Sequence, residues 1–276
     1  PVQQAAFRNF ELEVEALASP GANSGIYFHT GYQEQGFPQK GFEVQINNTA
    51  TGEGGYRERK KTGSLYGVRN VYKQLVRDGE WFRVQVAVRG KNIHVRLNGT
   101  LMVDYTEPSP PVLAEASERG RFLDHGTFAL QCHDPGSKVR FRRIAVRPLP
   151  DDVPTPGEAP LVDDLFRQIL TLGARNVPLV DYHVHVRGGL TVEGALAKSR
   201  RDGIQYGLAV NCGKGFSVQD DAGARRFAES LAGLPVFVGM QAEGREWTGM
   251  FSRQAVWLFD YVFTDAMTRT DNRGRR

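Results

Sequence analysis

The sequence has no stretch of about 18 apolar residues, so it offers no segment that would cross a membrane as a helix. It has only two cysteines, Cys132 and Cys212, which fall in different predicted domains. A pair placed so far apart gives neither a zinc-binding spacing nor a disulfide framework. We therefore expect no membrane span and no disulfide, and we expect both thiols to be buried as small apolar groups.

The sequence also lacks a large excess of charge of one sign, because its 35 Lys and Arg residues are nearly balanced by 31 Asp and Glu residues. The basic residues are dispersed among acidic ones, so we expect no nucleic-acid partner. The length of 276 residues predicts two domains, while nothing in the sequence indicates an oligomeric state. Because the sequence opens on Pro1 and closes on Arg276 in mid-pattern, we expect it to be a fragment.

From Phe10 to about Val146, apolar and polar side chains alternate at the period of a β-strand, with Gly, Asn and Pro at regular intervals, and we assign residues 1–148 to this domain. Such a pattern, with no helical period between the strands, predicts an antiparallel two-sheet sandwich or jelly roll. Gly90-Lys91 and Asn98-Gly99 supply two hairpin turns. Strands are expected from Phe10, at Gly25 to His29, Phe42 to Asn47, Trp81 to Val88, Asn92 to Leu97, Thr100 to Tyr105, Gly126 to Cys132 and Val139 to Arg147.

Residues 149–160 are rich in proline and acids, which predicts a stiff, solvated linker. Residues 161–276 then alternate helical and strand patterns, beginning with a helix near Val162 to Leu172 and a strand at Pro178 to His185. About four strands are visible, so we expect roughly half of a TIM-barrel-like α/β domain. An open doubly wound sheet is the alternative.

Six ordered sequences in the first half carry a family resemblance. They are Asn23-Ser-Gly-Ile-Tyr-Phe, Gly41-Phe-Glu-Val-Gln-Ile, Thr62-Gly-Ser-Leu-Tyr-Gly, Gly79-Glu-Trp-Phe, Leu97-Asn-Gly, and Ala129-Leu-Gln-Cys-His with Val139-Arg-Phe-Arg-Arg-Ile. On these motifs the region resembles the 3-keto-disaccharide hydrolase domain family. The resemblance implies a concanavalin-like jelly roll that acts on oxidised sugars, in a bacterial, periplasmic or secreted setting.

Strand alternation places Glu43, Gln45 and Asn47 on the face opposite Val44 and Ile46. By the same rule Gln131 and His133 share a face. If these strands are neighbours, a carboxylate, amides and an imidazole converge where a sugar would bind.

A ketone at C3 acidifies the hydrogen at C2, so a glycosidic bond can break by elimination across C1 and C2. We expect Glu43 or His133 to be the general base, and Lys61, Tyr66 or a bound divalent cation to stabilise the enolate. Asn23, Gln45 and Gln131 would orient sugar hydroxyls. The sequence also contains Asp124-His125-Gly126, so His125 competes with His133 for the role of functional histidine.

In the second half, Asp181-Tyr-His-Val-His ends a predicted strand, and alternation puts His183 and His185 on one side. This motif resembles the first metal motif of amidohydrolases and of the polymerase and histidinol phosphatase superfamily. The resemblance implies a divalent metal such as zinc, manganese or magnesium, held by His183, His185 and Glu243, with Asp265 as a further candidate.

Two hypotheses follow for the whole chain, and a third interpretation makes the barrel a metal-free remnant. The first is an enzyme that cleaves 3-keto-glycosides in its sandwich, fused to a metal-dependent hydrolase barrel. The second is a non-catalytic carbohydrate-binding sandwich that targets such a barrel to its substrate. In both, the partner of the sandwich is a carbohydrate.

Overall fold

The computed structural model describes residues 6–52, 56–115 and 119–264. Contacts divide the chain into two compact units. The sandwich unit comprises residues 1–179 and 200–204, and the parallel-sheet unit comprises residues 180–199 and 205–276. None of the helices in the described part of the chain has the length and apolar character needed to cross a bilayer.

Within its described residues, the sandwich unit has eight strands in two antiparallel sheets. A five-stranded sheet has the order β6-β5-β4-β1-β8, and a three-stranded sheet has the order β3-β2-β7. The strands are β1 (Phe10–Ala18), β2 (Asn23–Thr30), β3 (Phe42–Asn47), β4 (Phe82–Arg89), β5 (Asn92–Leu97), β6 (Thr100–Thr106), β7 (Thr127–Leu130) and β8 (Val139–Pro148). The predicted all-β sandwich is confirmed.

Side-chain alternation builds the core of the sandwich unit. In β1, Phe10, Leu12 and Val14 are buried, whereas Glu11 and Glu13 are half-buried on the opposite face. The inward side chains of the three-stranded sheet, including Ile26 and Val44, join the same apolar cluster. Both faces of β2 and β3 are buried, so their polar side chains are enclosed as well.

The hairpin turns form where the sequence predicts them. Asn98 and Gly99 both have positive φ angles, of 50° and 86°, between β5 and β6. Two successive positive φ angles favour Asn-Gly and match the twist of the flanking strands. At the end of β7 the prediction is wrong by two residues, because the strand stops at Leu130 and leaves Cys132 exposed. Cys212 is buried, as expected.

The helix α1 (Asp164–Ala174) belongs to the sandwich unit, although the sequence pattern assigns it to the C-terminal part. Asp163 caps its first turn by accepting a hydrogen bond from the Phe166 backbone N–H, at 2.8 Å. Phe166 and Leu170 join the apolar cluster of the sandwich. The helical period thus places the helix correctly along the chain but does not tell which core it covers.

The parallel-sheet unit holds a four-stranded sheet in the order β12-β11-β10-β9, with every neighbouring pair parallel. Its strands are β9 (Val180–Val184), β10 (Gln205–Cys212), β11 (Phe237–Ala242) and β12 (Tyr261–Thr264). The other helices among the described residues are α2 (Val192–Asp202), α3 (Asp221–Ser230), α4 (Trp247–Met250) and α5 (Arg253–Val256), and residues 200–202 of α2 are counted with the sandwich unit. The βα alternation is confirmed, whereas a TIM-barrel-like closure is not shown by the described strands.

Candidate active site

The three-stranded sheet carries a buried polar face opposite its apolar face. In the register of β2 and β3, Asn23 pairs with Asn47, Gly25 with Gln45, and Tyr27 with Glu43. Since alternate residues share a face of a strand, these positions form one polar row across the two strands. All of them except Gly25 present polar side chains, and each is at most 5% exposed.

Residues 60–66 extend this polar face along the free edge of β3. The Tyr66 backbone N–H donates to the Glu43 carbonyl at 2.9 Å, and the Thr62 N–H donates to the Asn47 carbonyl at 3.0 Å. Leu65 bridges to Val44 and points into the core, with no exposed surface. Its neighbour Tyr66 consequently lies on the side of Glu43.

The Glu43 carboxyl group lies at the centre of this face. Its Oε2 accepts a hydrogen bond from the Tyr27 hydroxyl at 2.7 Å, and Gln131 Nε2 donates to the same hydroxyl at 3.1 Å. Burial raises the pKa of Glu43 to about 7, although the Tyr27 hydrogen bond and the charge of Arg121 lower it. A carboxyl group with such a pKa can both accept and return a proton near neutral pH.

Gly25 makes room for this carboxyl group. A Cβ atom at Gly25 would lie 2.1 Å from Glu43 Oε1 and 2.7 Å from Glu43 Cδ, which real atoms do not tolerate. The glycine in the Asn23-Ser-Gly motif is therefore a close-approach position that lets the carboxyl group lie directly over β2.

A second group of side chains adjoins Glu43. Lys60 is fully buried, with its Nζ 3.7 Å from Glu58 Oε1 and 4.2 Å from the centre of the Tyr66 ring. The Tyr56 hydroxyl donates to Glu58 Oε2 at 2.6 Å and lies 3.2 Å from the Tyr66 hydroxyl. We call the following set the Glu43 cluster: Tyr27, Glu43, Tyr56, Glu58, Lys60, Tyr66, Arg121 and Gln131.

Burial shifts the pKa values of the bases and phenols in the Glu43 cluster. Burial lowers the pKa of Lys60, while the charge of Glu58 and its hydrogen bond raise it. The pKa of Tyr66 rises to about 12, mainly through burial and then through the charge of Glu58. Arg121 Nη1 donates to the Tyr66 carbonyl at 3.0 Å, which brings a second cation to this side of the sheet.

Two acceptors of the Glu43 cluster have no hydrogen-bond partner among the described residues. Glu43 Oε1 and Gln131 Oε1 are both buried, and each side chain already contacts the Tyr27 hydroxyl through its other polar atom. Buried polar atoms are normally paired, so unpaired acceptors call for an explanation.

The structure brings together only some of the side chains singled out in the sequence. Glu43, Tyr66 and Gln131 belong to the Glu43 cluster. Asn23 and Gln45 lie on the same face and bond to each other, with Gln45 Nε2 donating to Asn23 Oδ1 at 2.6 Å.

Two predicted catalytic side chains lie apart from the Glu43 cluster. His133 is exposed, faces the Phe37 ring and lies 3.2 Å from Asp134 Oδ2. Its competitor His125 is also exposed and pairs with Asp124. Lys61 follows the buried Lys60, but none of the contacts that define the cluster is made by Lys61. The one-residue offset matters because neighbouring side chains in an extended segment point to opposite sides.

Sequence reasoning missed five members of the Glu43 cluster, which are Tyr27, Tyr56, Glu58, Lys60 and Arg121. Lys60, Glu58 and Tyr56 lie in the Tyr-Arg-Glu-Arg-Lys segment, whose charges suggest a solvated loop. Tyr27 lies inside a family motif, and counting alternation from Asn23 would have placed it on the polar face. The buried histidine of the sandwich is His29, whose pKa burial lowers to about 4.

A groove of about 560 Å³ on the outer face of the five-stranded sheet is a less suitable site. Its carboxylates are already neutralised, because Glu11 pairs with Arg89 and Arg147. His94 likewise pairs with Asp104 at 3.1 Å. The charged side chains of this groove are therefore paired with each other, whereas Glu43 Oε1 and Gln131 Oε1 have no hydrogen-bond partner among the described residues.

The metal ligands predicted in the parallel-sheet unit do not form a complete site. The rings of His183 and His185 lie 5.1 Å apart, but His183 Nε2 lies 3.1 Å from Gln241 Oε1. Glu243 Oε1 accepts a hydrogen bond from Asn211 Nδ2 at 2.6 Å. In the described ranges of either unit, no group of three or more His, Cys, Asp and Glu side chains could hold a metal ion. Asp265 lies outside the described residues, and a metallohydrolase assignment is not supported.

Comparison with known protein families shows the family to which the sandwich belongs. The family model of the 3-keto-alpha-glucoside-1,2-lyase-like domain matches residues 2–147, which is more than half of the chain. The chain belongs to this family. The match spans β1 to β8 and includes Tyr27, Glu43, Lys60 and Gln131, while α1 lies outside it. No curated protein matches the chain.

The solved structures that match this chain cover about half of it. A candidate glycosyl hydrolase from Parabacteroides distasonis is 21% identical, with a TM-score of 0.44, over 53% of this chain and 74% of its own. A second from the same organism is 24% identical, with a TM-score of 0.42, over 52% and 80%. A carbohydrate-binding module from Bacillus subtilis is 10% identical, with a TM-score of 0.34, over 51% and 76%.

Proposed function

We propose that the sandwich unit of this 3-keto-alpha-glucoside-1,2-lyase-like chain cleaves 3-keto-glycosides by elimination, with Glu43 as the general base. The observation that carries the proposal is the buried Glu43 carboxyl group. Its pKa is about 7, and its Oε1 atom has no hydrogen-bond partner among the described residues. Family membership supports the substrate class. The geometry supports the assignment of the base, because Tyr27 and Gly25 hold the carboxyl group over β2.

The reaction begins when Glu43 Oε1 takes the proton from C2 of the sugar, which the C3 ketone makes acidic. The electron pair left on C2 moves onto the C3 oxygen as an enolate. Collapse of the enolate forms the C1–C2 double bond and breaks the C1–O bond to the leaving group. The leaving oxygen then takes a proton, and the products are an enone sugar and an alcohol. Addition of water to the enone would give the product of net hydrolysis.

The other members of the Glu43 cluster assist this step. Lys60 and Arg121 place two positive charges on the side where the enolate oxygen develops, as electrostatic stabilisation requires. The linked hydroxyl groups of Tyr56 and Tyr66 are the proton donors to the leaving oxygen. Gln131 and the Asn23–Gln45 pair orient sugar hydroxyls.

The test uses the full chain with the 3-keto derivative of an aryl glucoside, following release of the phenol and absorbance of the enone. We expect Glu43→Gln to lower kcat by about 10²- to 10⁴-fold, the usual contribution of a general base. Deuterium at C2 should slow the reaction, because the C2–H bond breaks in the first step. Glu13→Gln, which alters a half-exposed carboxylate on β1, is the matched control and should retain activity.

Two results would contradict the proposal. Turnover by Glu43→Gln at the wild-type rate removes Glu43 from the chemistry. Binding of the 3-keto-glucoside by calorimetry with neither phenol nor enone formed would instead favour the non-catalytic, carbohydrate-binding hypothesis.

A further inference from the structure

Helix α1 and the turn after it build part of the candidate active site from outside the family match. The helix follows the matched residues 2–147, yet Phe166 and Leu170 pack in the sandwich core. At its C-terminal end the Gly173 carbonyl accepts a hydrogen bond from Asn70 Nδ2 at 3.2 Å. Asn70, four residues after Tyr66 of the Glu43 cluster, is therefore in direct contact with this helix end.

The chain leaves α1 through a turn that has Asn176 in the left-handed conformation, with a φ angle of 60°. The Asn176 N–H donates to the Gly173 carbonyl at 3.2 Å, and the Val177 N–H donates to the Leu172 carbonyl at 3.0 Å. These two bonds define a Schellman motif, in which glycine is the most frequent residue at the left-handed position. Asparagine is tolerated there, and it brings a side chain that glycine lacks.

The carboxamide of Asn176 makes three hydrogen bonds to residues 57–60. Its Nδ2 donates to the Arg57 carbonyl. Its Oδ1 accepts from the Arg59 backbone N–H at 3.2 Å and from Lys60 Nζ at 3.1 Å. One amide thus fixes both the backbone before Lys60 and the ammonium group itself.

We propose that Asn176 is a positioning residue of the Glu43 cluster, and that it keeps the buried Lys60 ammonium charged and held between Glu58 and the Tyr66 ring. The catalytic importance of this contact rests on the proposed function, in which Lys60 stabilises the enolate. The contact itself is independent of that function. It assigns a role in the site to a part of the chain that lies beyond the family domain.

The physical case depends on how a buried ammonium group is satisfied. Lys60 Nζ has three N–H donors, and the structure supplies the Asn176 oxygen, the Glu58 carboxylate and the Tyr66 ring face. Other charges that act on Lys60 are Glu43, which favours the ammonium form, and Arg121, which opposes it. Loss of the Asn176 oxygen removes a bond to the charged form and should lower the pKa of Lys60 further.

The decisive variant is Asn176→Gly. Glycine suits the left-handed position at least as well as asparagine, so the turn should persist while the carboxamide is lost. Asn176→Asp keeps an oxygen acceptor and adds a negative charge beside Lys60. Arg175→Gln is the matched control, because it removes only the exposed ion pair of Arg175 with Glu115, 3.2 Å apart.

The first measurement follows the lysine ¹³Cε resonances of the full chain as pH is raised, since the sequence has only eight lysines. The Lys60 resonance is assigned by its absence in Lys60→Gln. We expect the Lys60 midpoint to fall by about one pH unit in Asn176→Gly and to rise in Asn176→Asp. In Arg175→Gln the midpoint should be unchanged.

The second measurement is the pH profile of kcat with the 3-keto aryl glucoside. Its alkaline limb should move in the same direction as the Lys60 midpoint in each variant, which a purely structural role would not produce. Identical midpoints in wild type and Asn176→Gly would overturn the inference. If the wild type is active and Asn176→Gly shifts the Lys60 midpoint but leaves the pH profile of kcat unchanged, the positioning role would be overturned. If Asn176→Gly shifts the Lys60 midpoint but the wild type shows no turnover, the result would support the Asn176 contact and refute the proposed function instead.

Discussion

The raised pKa of Glu43 predicts that this side chain makes the sandwich less stable as pH rises. The folded chain holds the Glu43 proton up to about pH 7, whereas the unfolded chain releases it near the ordinary value of 4.5. Between these values the folded state binds more protons, so the free energy of unfolding falls with increasing pH. At about 1.4 kcal/mol per pKa unit, the loss amounts to about 3 kcal/mol above pH 7.

Substitution by glutamine isolates this effect. Glu43→Gln resembles the protonated side chain in shape and charge, and Tyr27 can still donate to its oxygen. We expect wild type and variant to have similar stability at pH 4.5. At pH 8 the variant should be more stable by about 3 kcal/mol, although it has lost the proposed base.

The assay must report on the sandwich unit alone, because a chain of two units need not unfold in one transition. Urea unfolding, followed by hydrogen-exchange mass spectrometry of peptides from β2 and β3, meets this need. It would be repeated at several values between pH 4.5 and pH 8. Comparing the two chains cancels the opposite effect of His29, whose lowered pKa adds stability that is lost as pH falls from 6.5 to about 4.

Glu13→Gln serves as the control for removing a carboxylate from the same sandwich. Its side chain is 38% exposed and 3.6 Å from Arg83, so its loss should change stability by less than about 1 kcal/mol. A difference between wild type and Glu43→Gln that stays constant from pH 4.5 to pH 8 would refute the reasoning. It would mean that the Glu43 carboxyl group titrates in the folded state as it does in the unfolded chain.

Three further predictions concern the placement of side chains. Gly25→Ala should displace the Glu43 carboxyl group, so we expect turnover of the 3-keto aryl glucoside to fall at least 10²-fold while the far-ultraviolet circular dichroism is kept. Lys60→Met should reduce kcat strongly and Lys61→Met only slightly; the reverse order in steady-state kinetics would show that the sequence-based choice of Lys61 was right. If His183 binds a metal, metal analysis of the full chain should show less zinc, manganese or magnesium in His183→Ala, and equal content would exclude that ligand.

The strands of the sandwich could be predicted well because alternation and turn residues are local signals. The Gly90-Lys91 and Asn98-Gly99 turns delimit β4, β5 and β6 within a residue or two. Alternation also put Glu43 and Gln45 on one face, as the register of β2 and β3 confirms. These inferences need only the residues next to each position.

The rest of the candidate site depends on contacts between distant parts of the chain, which a periodic pattern does not encode. Tyr27 meets Glu43 only because β2 pairs with β3 in one particular register. Lys60 was missed in favour of Lys61 because residues 56–61 show no period from which to judge their orientation. Asn176 accepts its hydrogen bond from Lys60 Nζ although the two residues are 116 positions apart in the sequence.

The position of α1 also bears on how this domain can be exchanged between proteins. Recombination at the proline-rich segment of residues 149–160 would transfer the whole family match and leave Phe166, Leu170 and Asn176 behind. The transferred sandwich would expose the apolar surface that α1 covers, and its Lys60 would lose an acceptor. The sandwich unit of this chain is therefore larger than the family domain, because it includes α1, the turn at Asn176 and residues 200–204.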